Sequence, residues 1–217
     1  MEYTLRNIEN NDWISLVIIG LFILLAITRY LYPQRFEEFI LLPITDRYFT
    51  LQGKGYELNH PFNVLFLVIQ VVSFSLFFYF ASQLFTNRTT HENPWFFLQL
   101  ITGISVFILA KYLIEKIIGN LFNMEKLIDR FLYEKLCYAS LLALFILIGN
   151  TLFFYIFKAQ IGLYKGFAVV ICVLFLITLL SSYKRNWTTI LRHFFYFILY
   201  LCALEIAPYI ILYKILV

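Results

Sequence analysis

Charged residues are scarce in this sequence, at 14% of 217 residues, whereas hydrophobic residues make up 62%. A soluble domain is typically about 25% charged and about 45–50% apolar. The shortage of charge excludes an ordinary soluble globular protein and a disordered chain, because water is a poor solvent for so much apolar surface. The composition therefore predicts a polytopic membrane protein.

Glycine, proline and cysteine are also scarce, with 8, 5 and 3 residues. So little glycine and proline excludes a flexible linker or a low-complexity tract, and we expect one transmembrane domain over residues 1–217. The cysteines lie in apolar runs without a C-x-x-C motif, and the three histidines are isolated. No metal-ligand spacing, nucleotide motif or catalytic constellation occurs, so we expect no metal, no cofactor, no nucleic-acid partner and no enzymatic activity.

Long apolar runs dominate what is present, and six of them are long enough to cross a bilayer as a helix of about 20 residues. None alternates with period two, which excludes the strands of a barrel. The sequence thus predicts an all-α fold, a polytopic transmembrane bundle of six spans. The expected spans are residues 13–31, 62–85, 95–118, 136–157, 163–183 and 189–212.

Lysine and arginine fall unequally on the two sides of these six spans. Twelve lie on one side and five on the other. The positive-inside rule assigns the side with twelve to the cytoplasm. We therefore expect both termini to lie outside.

Aromatic residues are abundant, at 20% of the chain. Lipid-facing Phe, together with Tyr and Trp belts at the membrane interfaces, accounts for such an abundance. A lipid-binding or quinone-binding surface is the alternative interpretation.

Two connections on the inner side have helical patterns. In residues 34–43, Phe36, Phe39 and Ile40 share one face and Pro43 ends the segment, which is typical of a short interfacial helix. Residues 119–135 interleave apolar and charged side chains. This second pattern fits either a helix on the inner membrane surface or an extension of the neighbouring spans into the cytoplasm.

Ionisable residues inside apolar spans point to function, because each costs roughly 2.5–3.5 kcal/mol to insert. Glu205 lies in the sixth span, roughly 12 Å from its outer end at about 1.5 Å per residue. Pro208 leaves the carbonyl of Leu204 without its helical hydrogen bond. A free carbonyl beside a carboxyl makes a site that could bind a cation or a proton.

Asn150 in the fourth span matches Glu205 in expected depth, and Gln99 in the third span also lies in the outer half. We expect Glu205 to be protonated or held by amide and tyrosine donors. A packing hydrogen bond, proton or ion handling, and contact with a partner subunit remain open as its role. Lys111 and Glu115 lie one turn apart near the inner end of the third span, where they can pair at the membrane boundary.

Three stretches of this sequence match a known pattern. They are Arg29-Tyr30 at the end of the first span, Lys111-Tyr112-Leu113 with Gly119 and Phe122 downstream, and Tyr200-Leu201-Cys202 through Glu205 and Pro208 to Lys214. In these stretches the chain resembles a family of uncharacterised polytopic inner-membrane proteins of Bacteroidota, a domain of unknown function. The resemblance implies a multi-pass protein in the cytoplasmic membrane of a Gram-negative bacterium, and it supplies no catalytic residue and no substrate.

The small size, the short outer loops and the absence of catalytic residues favour a subunit over a complete carrier. We therefore expect a non-enzymatic accessory subunit of a larger inner-membrane assembly, with a secretion or insertion machine as one candidate host. Its partners would be membrane lipids and other membrane protein subunits. The alternative is a small proton- or cation-coupled transporter that uses the carboxyl of Glu205, with Asn150 nearby.

Overall fold

The computed structural model describes residues 12–42, 60–86, 94–121, 125–156 and 161–185. Every regular element in these ranges is an α-helix, so the all-α prediction is confirmed for this part of the chain. The helices are α1 (Asp12–Leu31), α2 (Pro33–Ile40), α3 (Pro61–Thr86), α4 (Pro94–Leu121), α5 (Glu125–Tyr155) and α6 (Ile161–Arg185).

Proline sets the start of three of these helices. Pro33, Pro61 and Pro94 are the first residues of α2, α3 and α4. The first N–H groups of a helix have no acceptor within it, so proline loses nothing there and its fixed φ favours the helical turn. At α3, the ring nitrogen Nδ1 of His60 also accepts the N–H of Phe62 at 3.2 Å. The local sequence therefore determines where these helices begin.

Four helices, α1, α3, α4 and α5, are long and apolar enough to cross a membrane. They correspond to the first four predicted spans. Helix α6 corresponds to the fifth, and its residues Gly162–Thr178 are apolar. The predicted sixth span, residues 189–212, lies outside the described residues, as do Glu205 and Pro208.

Helix α5 begins well before the predicted start of the fourth span at residue 136. The charged residues of 125–135 and the apolar residues of 136–155 form one continuous helix of 31 residues. At about 1.5 Å per residue this helix is about 46 Å long, roughly 16 Å more than the thickness of a bilayer's hydrocarbon core. Of the two interpretations of this segment, the extension of a span agrees with the structure over 125–135 and the separate surface helix does not.

Consecutive long helices run antiparallel, as ring contacts between their ends show. Trp13 at the start of α1 and Phe97 at the start of α4 both contact Tyr79 near the end of α3, with centroids 5.3 and 5.9 Å apart. Phe153 near the end of α5 contacts Tyr164 near the start of α6 at 5.3 Å. Phe80 and Phe154, near the ends of α3 and α5, are 6.1 Å apart, so these two helices run parallel to each other. They form the central pair, and α4 and α6 each pack against both of them.

Many aromatic rings lie between helices rather than towards lipid. Phe36 and Phe39 of α2 are buried against Phe62 and Phe66 of α3, and the rings of Phe39 and Phe66 are 4.5 Å apart. Ile40, the third residue of the predicted apolar face, is 51% exposed. The short helix predicted here is thus present, but its aromatic face packs on the protein. Lipid-facing positions account for only part of the aromatic content.

Helix α6 packs an aromatic ring against Gly149 of α5. The ring of Phe167 in α6 lies directly over this glycine, and a Cβ atom at position 149 would overlap the ring. Glycine is required here because of the close approach, not because of an unusual backbone angle.

We expect the substitution Gly149→Ala to lower the free energy of unfolding by about 1–3 kcal/mol, because the added methyl group forces the Phe167 ring or the helix to move. The matched control is Gly20→Ala in α1, where an added Cβ meets no atom within 4 Å. Size-exclusion chromatography of heated, detergent-solubilised protein measures the apparent melting temperature. Combining Gly149→Ala with Phe167→Leu should recover part of the loss. Equal melting temperatures for Gly149→Ala and wild type would contradict the contact.

Candidate functional site

A buried amide joins the two central helices. Asn150 of α5 has no solvent exposure, and its Nδ2 donates a hydrogen bond to the backbone carbonyl of Ser73 in α3 at 3.0 Å. An amide on an apolar helix requires such partners, because the surrounding side chains and lipid offer none. This bond joins a sequence-predicted site residue to the middle of α3.

Three oxygen atoms around this bond have no hydrogen-bond partner within the described ranges. They are Oε1 of Gln70, Oγ of Ser73 and Oδ1 of Asn150. Gln70 and Ser73 lie three residues apart on α3 and so share one side of that helix. All three residues are more than nine-tenths buried. We call Gln70, Ser73 and Asn150 the α3–α5 polar cluster.

A third helix binds the same stretch of α3 one turn further along. The hydroxyl of Tyr164 in α6 donates to the backbone carbonyl of Phe77 at 2.6 Å, and the rings of Tyr164 and Phe77 stack at 5.4 Å. The carbonyls of Ser73 and Phe77 thus each accept a side-chain donor from a neighbouring helix. Helix α3 therefore accepts side-chain hydrogen bonds from two neighbouring helices within one helical turn.

A second group of buried polar side chains lies where α4 ends and α5 begins. Nζ of Lys135 in α5 contacts Oε1 of Glu115 in α4 at 3.1 Å, and the two side chains are 18% and 1% exposed. Within α5, Nε of Arg130 contacts Oε1 of Glu134 at 3.3 Å, and Glu134 is also 1% exposed. Two buried carboxylates are therefore neutralised by two partly exposed cations. We call Glu115, Arg130, Glu134 and Lys135 the ion-pair cluster.

The two clusters are far apart. Lys135 and Asn150 are fifteen residues apart on one helix, which corresponds to about 22 Å. Residues 136–155 between and beyond them carry no charge. The ion-pair cluster therefore marks the end of the apolar part of the bundle, and the α3–α5 polar cluster lies well inside it.

The domain of unknown function DUF4271 matches residues 14–216 of the chain. The chain belongs to the DUF4271 family. This match spans helices α2 to α6 and all but the first two residues of α1, and it agrees with the resemblance to an uncharacterised family. Searches of curated proteins and of solved structures found no match.

The sequence-predicted site residues of this DUF4271 chain occupy different places. Asn150 is buried in the α3–α5 polar cluster, Glu115 is in the ion-pair cluster, and Lys111 is half-buried one turn before Glu115. Gln99 lies on the exposed side of α4. The side chain of Gln99 is exposed and that of Asn150 is buried between α3 and α5, so the structure does not bring the two together.

Sequence reasoning missed Lys135 as the partner of Glu115, and it missed Gln70 and Ser73. The short connection between α4 and α5 brings the charged ends of two antiparallel helices together, which was a usable signal for Lys135. No such signal exists for Gln70 and Ser73. Periodicity does not show which side of an apolar helix faces a neighbour when every side is apolar.

Metal binding finds no support in the described ranges. No group of three or more His, Cys, Asp or Glu side chains there is arranged to hold a metal ion. Cys137 and Cys172 are free thiols, the first buried and the second exposed.

Breaking the ion-pair cluster should destabilise the protein. We expect Glu115→Leu to cost about 3 kcal/mol, at the low end for a buried pair because Lys135 retains some solvent. The double variant Glu115→Leu/Lys135→Leu should regain most of this loss, since two apolar side chains replace the pair. Melting temperatures of the two single variants and the double variant form a mutant cycle. Additive losses in that cycle would show that the two groups do not interact.

Proposed function

We propose that this protein is a non-enzymatic, multi-pass subunit of a larger assembly in a bacterial inner membrane. The charge distribution of the described helices supports an orientation with the ends of α1 and α4 in the cytoplasm. Lys165 lies near the opposite end of the bundle. Nine Lys and Arg residues lie at the proposed cytoplasmic end: Arg29, Arg35, Lys111, Lys116, Lys126, Arg130, Lys135, Lys184 and Arg185.

With the predicted sixth span, this orientation gives six crossings and both termini outside. The resemblance to Bacteroidota proteins supports a Gram-negative host cell. The proposed partners are membrane lipids and other membrane protein subunits, with no role for nucleic acid. A secretion or insertion machine is our candidate host assembly, since such machines are built from many helical subunits.

The exposed face of α4 is the observation that carries the subunit proposal. Among the four long apolar helices, α4 buries the smallest share of its apolar length inside the bundle. Its exposed side carries Gln99, Thr102, Gly103 and Ala110 at helical spacing. We call these four residues the α4 face.

The α4 face suits a neighbouring helix better than it suits lipid. The Thr102 hydroxyl is bonded to backbone carbonyls of its own helix. Gln99 is an exposed amide on an apolar helix, and a bare amide in hydrocarbon costs several kcal/mol. A Cβ at Gly103 would meet no atom of the described residues within 4 Å, so a second backbone can come close there. Small residues beside a polar side chain are typical of helix interfaces in membranes.

A photoreactive residue placed at Val106, which is 65% exposed and one turn from Gly103, tests this proposal in cells. We expect a crosslink to a different membrane protein. The added substitution Gly103→Leu should lower the crosslink yield at least about tenfold, because a loss of only about 1.4 kcal/mol in affinity suffices for that.

The matched control uses α1. A photoreactive residue at Ile19, which is 51% exposed, should give the same lipid adducts with and without Gly20→Leu, since Gly20 also has open space around it. Adducts at position 106 that contain only lipid, or only this chain's own residues 189–212, would refute the subunit proposal. Unchanged yield in Gly103→Leu would refute the role of the α4 face.

A small proton- or cation-coupled transporter is the second candidate. The observation that favours it is the buried Asn150, whose Oδ1 has no donor within the described part of the chain. Glu205 was matched to Asn150 in depth by sequence alone and supplies the titratable group of this proposal.

Under the transporter proposal, Glu205→Gln should abolish proton or cation flux in proteoliposomes while expression and melting temperature stay at wild-type levels. The control is Glu37→Gln, which removes an exposed carboxylate on α2 and should leave flux unchanged. A Glu205→Gln variant with wild-type flux, or one that only loses stability, would refute the role of Glu205 in the transporter proposal.

A further inference from the structure

We propose that the α3–α5 polar cluster is a binding site for one water molecule inside the apolar part of the bundle. The motivating observation is the set of three buried oxygens of Gln70, Ser73 and Asn150 that lack partners among the described residues. This inference does not depend on the subunit proposal, because the cluster lies in the interior and the α4 face lies outside.

The hydrogen-bonding capacity of the three groups matches water. Oε1 of Gln70 and Oδ1 of Asn150 only accept, whereas the hydroxyl of Ser73 can donate one proton. The single proton of Ser73 cannot satisfy two carbonyl oxygens, so at least one acceptor needs a donor from elsewhere. A water molecule donates to both carbonyl oxygens and accepts from the hydroxyl, which gives the three bonds that a buried water typically makes.

The hydroxyl of Ser73 is free to take part, as a comparison with Ser75 shows. Both serines are fully buried on α3. Ser75 donates to the carbonyl of Val71 at 2.7 Å, the usual bond of a serine within a helix. Ser73 makes no equivalent bond. Its proton therefore remains available for a ligand.

The proposed water bridges residues that lie on one stretch of the α3–α5 contact. The bond from Nδ2 of Asn150 to the Ser73 carbonyl holds the amide of Asn150 against α3 at the level of Ser73. Gln70 lies one turn away on the same side of α3, where Cβ atoms are about 5–6 Å apart. Gln70 and Asn150 therefore both lie within about one helical turn of Ser73.

A metal cation is a poorer match for the cluster than water is. All three ligands are neutral, and an isolated charge in apolar surroundings needs a counter-charge. The nearest carboxylate on α5 in sequence is Glu134, sixteen residues from Asn150 and about 24 Å away along the helix. Water carries no net charge and needs no such partner.

Solid-state NMR of the full chain in lipid vesicles tests the site. Magnetisation transfer from water protons to the side-chain amide nitrogens of Asn150 and Gln70 should be observed in the wild type. We expect Ser73→Ala to abolish this transfer, because the water loses its only donor partner. The matched control Ser75→Ala removes a hydroxyl that is bonded within its own helix and should preserve the transfer.

Melting temperatures ensure that each variant compared is folded. Absence of water transfer to Asn150 in the folded wild type would overturn the proposal. Equal loss of transfer in Ser73→Ala and Ser75→Ala would overturn it too, because the effect would then be general. A water signal in the wild type that persists in Glu205→Leu supports the proposal. Transfer to Asn150 from a carboxylic proton that disappears in Glu205→Leu would identify the carboxyl as the donor and exclude the water.

Discussion

The contact between α3 and α5 is the constraint on which the rest of the described structure depends. The other described helices all contact one or both members of this pair. Helices α4 and α6 pack against both, and they must occupy different grooves because two full-length helices cannot fill the same one. The positions of the other helices therefore depend on α3 and α5. The bond from Asn150 to Ser73 fixes the register between α3 and α5.

Polar contacts have a particular role in a bundle of this composition. Between helices in lipid, apolar side chains gain little by leaving the surroundings, since lipid tails are equally apolar. Close packing and a few hydrogen bonds must then select one arrangement. The ring of Phe167 over Gly149 is an example of close packing. Asn150 and Tyr164 donate hydrogen bonds to backbone carbonyls of α3, and these bonds are directional. Sliding α5 or α6 by one turn would break these contacts together.

Polar and charged side chains occupy three places in the described structure, and each place has a different consequence. The ion-pair cluster ends the apolar part of α4 and α5, and its two carboxylates are buried with cations beside them. The α4 face presents an amide and a glycine outward, where a neighbour can use them. The α3–α5 polar cluster lies inside and has spare acceptors. Membership of the DUF4271 family does not assign a role to any of these places, so their chemistry is the guide to function.

The sequence by itself determined the membrane class, the all-α content and the positions of most helices. Long apolar runs and prolines act locally. The run from Trp13 to Leu31 predicts a helix, and Pro61 favours the start of one, without knowledge of any neighbouring helix. It also identified Asn150 and Glu115 as costly residues, but not their partners. The roles of Ser73 and Gln70 were decided by the tertiary structure, because helices that are apolar all round give no signal for which side meets another helix. The continuous helix from residue 125 to 155 was decided there too, since Phe131, Leu132 and Tyr133 gain burial only when neighbouring helices cover them.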